Sequence, residues 1–423
     1  MRARAGDKII GLVVVGCVAL SSCSLGEGGN DEAASSAPVA AAGLRVPSDL
    51  DELGEGDACG EEGLTDAGDL AADRTIARCA PGSPAPEPLP APTRLRVGTE
   101  APGEEIAPLL LALHYEEFAA ENLVVEPVEY PDPLALYEAL GAGEIDAAVG
   151  RLDAPFFDQV ANDTGVRLVL GGAVARAAND RGIDQPGLWI RADQLTEPGK
   201  YNDLEGTRFA VADGIDDAVA APLTAVVRQD DLSLNEVRVD LQGGEDAATL
   251  LQEGKVSGAW LDEPAWRSVA GDDRFQLLAT LPASESLGGV AVAGRLVDHD
   301  RDRAVGLAFV RALVRTVNTH LADDYQADDD VVAALAESLD TEPDAIRATP
   351  PWLFDWELRS GTTERLQTVF VQLGSVLYEE EIPEREIVDR TLYRDAVGVE
   401  DESASASGDS AAAGSGDLAQ DQA

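Results

Sequence analysis

The sequence predicts an α/β fold made of two similar lobes, each built on a mostly parallel sheet. Two stretches support this prediction, LGAGEIDAAVGRLDAP at 140–155 and LLQEGKVSGAWLDEP at 250–264. Each reads as the end of a helix, a glycine turn, a short apolar strand and an acidic loop closed by proline. Because ligands of α/β domains bind at the loops after the carboxyl ends of parallel strands, two such units predict a cleft between the lobes.

A second repeated pattern precedes each of these stretches. Val97-Gly98-Thr99-Glu100 leads into Ala107-Pro108-Leu109, and Val211-Ala212-Asp213-Gly214 leads into Ala221-Pro222-Leu223. Proline is tolerated in the first turn of a helix, where its missing N–H has no intrahelical partner to lose. Because both patterns recur in the same order, we interpret the chain as a duplication of one α/β unit.

Short Val/Ile/Leu strands alternate with amphipathic helices over 94–397, which is typical of sheets covered by helices on both faces. The expected strands are 94–98, 123–128, 146–149 and 166–170 in lobe 1, and 207–211, 236–240, 256–260 and 275–279 in lobe 2. Two further strands, Leu188–Arg191 and Gly289–Ala293, are expected to carry the chain between the lobes. Lobe 1 would then span 94–187 plus 285–398, and lobe 2 would span 188–284.

The last part of the folded chain reads as helical. Helices are expected at about 300–321, 328–339, 362–378 and 384–396, with Asp300 and Thr362 as N-caps. We expect these helices to pack on lobe 1. Residues 399–423 are rich in Ser, Ala, Gly and Asp without periodicity, so they are expected to be a disordered tail.

The first 22 residues predict a signal peptide. Arg2, Arg4 and Lys8 precede the apolar run Ile9–Leu20, which is too short to span a bilayer core that needs about 20 residues. Leu20-Ser21-Ser22-Cys23 resembles the bacterial lipobox, which implies cleavage before Cys23 and a diacylglycerol on its thiol. We therefore expect an extracytoplasmic protein anchored to the membrane by lipid; the alternative is an ordinary secretory signal.

Residues 23–93 have the composition of an acidic, proline-rich tether. Cys59 and Cys79 are the only cysteines after Cys23, so an oxidising compartment favours a disulfide between them over two free thiols. The three histidines show no spacing typical of a metal site, and no cofactor motif is present. We therefore expect neither a metal nor a cofactor.

The charge of the chain excludes some partners. There are 79 acidic residues and 31 basic ones, a net charge of −48. Phosphate binding requires basic side chains, so we expect no nucleic-acid partner and no basic patch for anionic lipids. Much of the acidity is open to a second explanation, adaptation of the surface to salt or to solubility.

Five segments in order resemble the substrate-binding proteins of nitrate/sulfonate/taurine-type ABC transporters, a group that includes binding proteins for thiamine-precursor pyrimidines. They are the lipobox, the first strand with its Ala-Pro-Leu helix, ALGAGEIDAAVG at 139–150, YNDLEGTRFAVADG at 201–214 with LLQEGKVSGAWLDEP, and LGSVLYEEEIPEREIVDRTLY at 373–393. The resemblance covers about residues 94–397. It implies the type II periplasmic-binding-protein fold, two α/β lobes with mostly parallel sheets joined by two crossover strands.

The resemblance also implies which loops bind the ligand. They are Thr99–Glu104, Arg151–Phe156, Asp213–Asp217 and Trp260–Glu263. The candidate binding residues within them are Thr99, Glu100, Glu104, Arg151, Asp153, Phe156, Asp213, Asp216, Trp260 and Glu263. Relatives that bind nitrate or sulfonates favour hydroxyls and neutral groups in these loops, whereas here eight acids face Arg151 alone. An amine, or a cationic or neutral ring, is therefore the expected ligand, with Trp260 stacking on it.

We interpret the chain as a binding protein rather than an enzyme. It has no P-loop, no Gly-x-Ser-x-Gly and no cysteine in the lobes, so no catalytic residue is assigned. The expected partners are a small-molecule solute and ABC permease subunits, and the protein is expected to be a monomer. The alternatives are a sulfonate- or nitrate-type anion on the same fold, a cleft lyase or pyrimidine-forming enzyme, and a sensory ectodomain.

Overall fold

A computed structural model describes residues 43–48, 50, 59–100, 102–176, 186–197, 200–201 and 204–399. Its strands are β1 (Thr93–Thr99), β2 (Leu123–Glu129), β3 (Ala147–Arg151), β4 (Arg167–Gly171), β5 (Ala173–Ala175), β6 (Gly187–Arg191), β7 (Leu195–Glu197), β8 (Lys200–Tyr201), β9 (Arg208–Val211), β10 (Arg238–Leu241), β11 (Gly258–Leu261), β12 (Phe275–Ala279), β13 (Gly288–Val292) and β14 (Trp352–Phe354). The predicted signal peptide, Cys23 and residues 400–423 lie outside the described residues.

The helices are α1 (Ala107–His114), α2 (Glu117–Ala120), α3 (Pro133–Gly141), α4 (Ala154–Ala161), α5 (Ala220–Val227), α6 (Gly244–Gln252), α7 (Arg295–Asp298), α8 (Asp300–His320), α9 (Asp329–Ser338), α10 (Pro343–Arg347), α11 (Thr362–Leu373), α12 (Glu384–Ile387) and α13 (Thr391–Ala396). Short 3-10 turns occupy several connections between them. Among the described helices, none combines the length and the apolarity that crossing a bilayer requires.

The strands form two five-stranded sheets with matching topology. The order is β2-β1-β3-β13-β4 in lobe 1 and β10-β9-β11-β6-β12 in lobe 2. In lobe 1, β1 is parallel to β2 and β3, and β13 is antiparallel to β3 and β4. In lobe 2, β9 is parallel to β10 and β11, and β6 is antiparallel to β11 and β12.

In each sheet, the antiparallel strand is formed by the segment of chain that arrives from the other lobe. The chain enters lobe 2 through β6, after β4 and β5 of lobe 1, and returns through β13 directly after β12. Two lobes with mostly parallel sheets and two crossover strands are the fold that the sequence predicts, and that prediction is confirmed.

The repeat in sequence is a repeat in backbone geometry. Gly143 and Gly254 follow α3 and α6 with φ of 71° and 69°, a left-handed conformation that favours glycine. In both copies the helix ends with the same pair of backbone hydrogen bonds. The longer-range bond of the pair runs from Glu144 N to Ala139 O in the first copy and from Lys255 N to Leu250 O in the second, each at 2.9 Å. This ending, a Schellman motif, turns the chain directly into the buried strands β3 and β11.

The C-terminal helices differ from prediction in detail. The predicted helix at 384–396 is two short helices, α12 and α13, and α11 ends at Leu373 because Gly374 adopts φ of 71°. Asp300 and Thr362 are the first residues of α8 and α11 rather than their N-caps. Helices α8, α9 and α13 pack on lobe 1 elements, whereas α11 contacts both α4 of lobe 1 and α5 of lobe 2.

Residues 59–92, which we call the N-terminal arm, do not form the tether that their composition predicts. Cys59 and Cys79 form a disulfide, with Cα atoms 5.1 Å apart, and both cysteines are buried. Ile76 is fully buried beside Val174 and Leu353 of lobe 1. Average composition conceals these anchoring residues, because each is surrounded by polar sequence.

Two buried arginines of the arm are neutralised or capped by lobe 1. Arg74 forms an ion pair with Asp355, its Nη2 lying 2.8 Å from Oδ2. Arg78 donates from Nη1 to the carbonyl oxygen of Phe354 at 2.7 Å. Because a buried guanidinium needs such partners, the arm is fixed to lobe 1 and belongs to it.

One face of α8 holds the rest of the arm. Side chains at positions 311, 315 and 318 lie on the same side of a helix. They donate to arm carbonyls, Arg311 to Glu87 O at 3.0 Å, Arg315 to Pro84 O at 2.9 Å and Asn318 to Ser83 O at 3.0 Å. Both arginines also bind Glu121, which is fully buried, at 2.7 and 2.8 Å.

Replacing Glu121 with glutamine is expected to destabilise the protein strongly. The variant leaves two buried guanidinium groups without their shared carboxylate, which costs about 3–5 kcal/mol when one partner of a buried ion pair is removed. Urea unfolding followed by circular dichroism measures the loss. Glu126→Gln is the matched control, because Glu126 pairs with Arg94 on the surface, where such pairs contribute about 0–1 kcal/mol. Equal effects of the two substitutions would contradict the role given to Glu121.

Candidate functional site

A cleft of about 760 Å³ opens at the carboxyl ends of β1, β2, β3 and β11. Lobe 1 contributes the loops after its three strands, and lobe 2 contributes Asp262–Pro264 after β11. The crossover segments and the segment 339–356 complete the wall. A cleft of this size, at this end of parallel strands, is the usual place and volume for a small-molecule site.

Five of the ten sequence-predicted binding residues line the cleft: Thr99, Glu100, Glu104, Arg151 and Glu263. The other five do not: Asp153, Phe156, Asp213, Asp216 and Trp260. Asp213 still lies close enough to Glu100 for its negative charge to raise the pKa of Glu100. Asp216 is exposed, and its carbonyl oxygen accepts a hydrogen bond from Ala154 N.

The two aromatic residues expected at the ligand lie in the core instead. Trp260 is 3% exposed, and its indole N–H donates to Asp262 Oδ1 at 3.2 Å. Phe156 is fully buried, with ring centroids 5.5 Å from Tyr137 and 5.0 Å from Phe157. Every residue of β11 is buried, so the strand gives Trp260 no face toward the cleft. The predictions that Trp260 stacks on the ligand and that Phe156 binds it are therefore wrong, because both side chains are packed in the core.

Asp153 makes a contact between the lobes rather than with the cleft. Its Oδ1 accepts a hydrogen bond from the backbone N–H of Ala218, just before α5, at 2.6 Å. Its Oδ2 is buried and has no hydrogen-bond partner within the described part of the chain. Burial, followed by the charge of Asp217, raises the pKa of Asp153 well above its usual range. A backbone amide near the start of α5 is thus occupied by the protein's own carboxyl group.

Arg151 is the cation at this junction. Its Nη1 lies 3.8 Å from Asp217 Oδ1 and 3.6 Å from Asp262 Oδ2, both on lobe 2. The pKa of the guanidinium is raised well above its usual range, mainly by Asp217. Arg151 therefore joins the two lobes and is already shared by two carboxylates.

The cleft is strongly acidic. Within the described residues its acids are Glu100, Glu104, Glu105, Glu129, Asp262, Glu263 and Asp355. Its arginines there are Arg151 and Arg176, and Arg176 pairs with Asp323 at 2.9 Å. In the part of the chain that is described, no group of three or more His, Cys, Asp or Glu residues could hold a metal ion.

Four of the seven acids already have partners on the protein. The pairs are Glu104 with Tyr325 and Thr349, Glu263 with Trp266 and Arg267, Asp355 with Arg74 and Arg359, and Asp262 with Arg151 and Trp260. Glu105 and Glu129 are exposed. Glu100 is half-buried and has no hydrogen-bond or ion-pair partner among the described residues.

Glu100 is electrostatically the most distinctive group facing the cleft. Burial raises its pKa from 4.5 to about 7, with Asp213 and Asp217 adding to the rise and Arg151 opposing it. An unpaired carboxyl group with such a pKa is typical of functional sites. It would bind a positively charged group well, because that group would supply the missing counter-ion.

Sequence reasoning missed two parts of the wall. Glu129-Tyr130-Pro131 follows β2, and the rule of carboxyl strand ends could have identified it. The segment 339–356 supplies Trp352 and Phe354, and its sequence carries no comparable signal. The aromatic rings that line the cleft are therefore Tyr130, Trp352, Phe354 and Trp356.

Two lobes with an intervening cleft and two crossover strands match the type II periplasmic-binding-protein fold. No protein-family model and no curated protein sequence matches the chain. Solved structures do: the periplasmic nitrate-binding protein NrtA from Synechocystis PCC 6803 has a TM-score of 0.55 at 11% identity, with 73% of this chain and 89% of that one covered.

Two further structures agree. The periplasmic aliphatic sulphonate-binding protein SsuA from Escherichia coli has a TM-score of 0.51 at 16% identity, covering 71% of this chain and 93% of that one. A zinc-bound ligand-binding component of an ABC-type import system from Staphylococcus aureus has a TM-score of 0.52 at 14% identity, covering 72% and 99%. This chain has the fold of the substrate-binding components of ABC-type import systems.

The stability contributed by Glu100 is expected to depend on pH. Its folded-state pKa is raised from 4.5 to about 7, so the folded protein binds the proton more tightly than the unfolded chain. Stability attributable to this group should therefore fall as pH rises from about 4.5 to about 7 and then level off. Glu100→Gln removes the effect, so its melting temperature relative to the parent protein should increase over that interval.

Thermal unfolding from pH 4 to pH 9, in the absence of ligand, measures this difference. Glu138→Gln, at an exposed position of α3, controls for the loss of one negative charge. A constant difference between Glu100→Gln and the parent protein across the interval would contradict the raised pKa.

Proposed function

We propose that this protein is the extracytoplasmic solute-binding component of an ABC-type importer. We further propose that its cleft binds a small organic ligand with an amine or a cationic or neutral ring. The observation that carries the ligand assignment is Glu100, a half-buried carboxyl group that faces the cleft without a partner among the described residues. The fold supports the transport role, because solute-binding components of such importers share it.

Both lobes would contact the ligand. Thr99 and Glu100 reach the cleft from lobe 1, and Asp262 and Glu263 reach it from lobe 2. A ligand held from both sides stabilises the closed arrangement by the difference between its affinities for the closed and open protein. The closed form is what a permease would recognise, and transport energy would come from a separate ATPase.

The charge of the cleft disfavours an anion. A sulfonate or nitrate would face seven acids in a site where closure excludes water and strengthens repulsion. The amide of Ala218, a donor that an anion could use, already serves Asp153, and Arg151 is shared by Asp217 and Asp262. The alternative of an anionic ligand is supported by the nitrate- and sulphonate-binding proteins of the same fold, at 11% and 16% identity.

Primary amines are expected to bind in a calorimetric titration, and Glu100→Gln is expected to weaken that binding at least tenfold. The substitution removes the counter-ion of the ligand's ammonium group, and charge-assisted hydrogen bonds contribute about 1.5–3 kcal/mol. Affinity of the parent protein should rise with pH through about 7, because Glu100 must be ionised to pair with the ligand. Glu126→Gln is the control, because Glu126 does not line the cleft and pairs with Arg94 on the surface.

Nitrate and aliphatic sulfonates serve as the competing ligands in the same titrations. Tight binding of either anion, unaffected by Glu100→Gln, would contradict the cationic assignment and favour the alternative. Chemical turnover of a bound ligand would instead favour the enzyme alternative, in which paired carboxylates such as Asp213 and Glu263 would do acid–base work.

Membrane anchoring is proposed to depend on Cys23. Cys23→Ser is expected to abolish incorporation of labelled fatty acid and to release the protein from the membrane fraction, because the lipid is attached to that thiol. Cys17→Ser, inside the apolar run, is the matched control and should leave anchoring intact. Membrane retention of the Cys23→Ser protein would exclude lipidation as the anchor.

A further inference from the structure

The cleft has a second, chemically different region inside lobe 1. Its walls come from α1, α8, α10 and β14, and its apolar residues are Leu109, Leu313, Val317, Leu339, Ile346, Pro351, Trp352 and Phe354. We call this region the apolar pocket. It is continuous with the acidic part of the cleft that contains Glu100.

We propose that the ligand is an amphiphile, with a positively charged group at Glu100 and a hydrocarbon or aromatic body in the apolar pocket. This inference rests on the proposed function, and it adds the chemical class of the part of the ligand that does not contact the acids. A small inorganic ion or a compact polar solute would leave the half-buried side chains of this region, Leu339 and Trp352, in contact with water.

The polar atoms around the apolar pocket are already paired within the protein. Glu104 accepts hydrogen bonds from the hydroxyl groups of Tyr325 and Thr349 at 2.7 and 2.6 Å. The side chain of Gln326 donates to the carbonyl oxygens of Ile346 and Thr349 at 2.7 and 3.1 Å. Because these polar groups already have partners on the protein, the wall offers a ligand mainly hydrocarbon surface.

Burial supports the same conclusion. Leu109, Leu313 and Val317 are at most 3% exposed, and they belong to the lobe 1 core. Leu339 and Trp352 are half-buried at the side of this region. The apolar pocket thus leads from partly exposed apolar side chains to the core, and an apolar ligand body would remove the exposed part of Leu339 and Trp352 from water.

The size of the cleft also favours a larger ligand. At about 760 Å³ it lies within the range of about 300–1,000 Å³ that encloses ligands of drug size. The charged group of the ligand would occupy only the part of this volume near Glu100. An apolar body extending toward α8 and α10 would fill the remainder.

A homologous series of linear primary amines, from propylamine to octylamine, tests the inference by calorimetry on the full-length protein. Affinity should rise about fourfold for each added methylene, the fold-change that corresponds to about 0.8 kcal/mol per buried CH₂. Sodium alkanesulfonates of the same chain lengths provide the matched anionic series, and they should bind at least tenfold more weakly at each length.

Two variants test the location of the apolar body. Ala345 and Thr341 are exposed residues that line the edge of the apolar pocket, so a tryptophan at either position should fold normally and obstruct it. Ala345→Trp and Thr341→Trp are each expected to weaken octylamine binding at least tenfold while leaving propylamine binding unchanged. Circular dichroism confirms that each variant is folded.

The outcomes separate this inference from the proposed function. Amines that bind with the same affinity at every chain length would overturn the amphiphile and leave the cationic solute site intact. Binding of no amine at any length would overturn both. Chain-length dependence that neither tryptophan variant alters would place the hydrocarbon elsewhere and overturn the assignment to the apolar pocket.

Discussion

The junction of Arg151 with Asp153, Asp217 and Asp262 is the constraint on which the candidate site depends. It brings the ends of β3, β9 and β11 together, with Asp153 accepting from Ala218 N at 2.6 Å and Arg151 between two lobe 2 carboxylates. Burying this many acids around one guanidinium leaves the surrounding field negative. Burial raises the pKa of Glu100, Asp213 and Asp217 add to the rise, and Arg151 opposes it. Under the proposed function, this environment would favour a ligand that brings positive charge.

A separate set of buried ion pairs and hydrogen bonds joins the N-terminal arm to lobe 1. Arg311 and Arg315 of α8 hold Glu121 and the carbonyls of the N-terminal arm, while Arg74 of the arm pairs with Asp355 in the cleft wall. The arm therefore supports the same wall that forms the apolar pocket. Helix α11 contacts both lobes, through α4 of lobe 1 and α5 of lobe 2.

The fold could be predicted from sequence because the repeated unit has a recognisable local sequence pattern. Gly143 and Gly254 require left-handed backbone, and each is followed by an apolar strand and an acidic loop. Side-chain direction could not be read in the same way. The sequence around Trp260 predicts the strand correctly, but it does not predict that the ring lies in the core, because tertiary packing determines the side-chain direction. The packing of the N-terminal arm could not be predicted, because a few anchoring residues do not change the composition of a long polar stretch. The wall at 339–356 could not be predicted either, because its residues reach the cleft only through contacts that are distant in sequence.

A crystal structure of the protein with a bound long-chain primary amine tests the central claim most directly. We expect the ligand nitrogen at about 2.7–2.9 Å from a carboxylate oxygen of Glu100, the distance of a charge-assisted hydrogen bond. We expect the hydrocarbon chain to lie against Leu313 and Trp352. A ligand whose charged group lies away from Glu100, or one bound outside the space between the lobes, would contradict it.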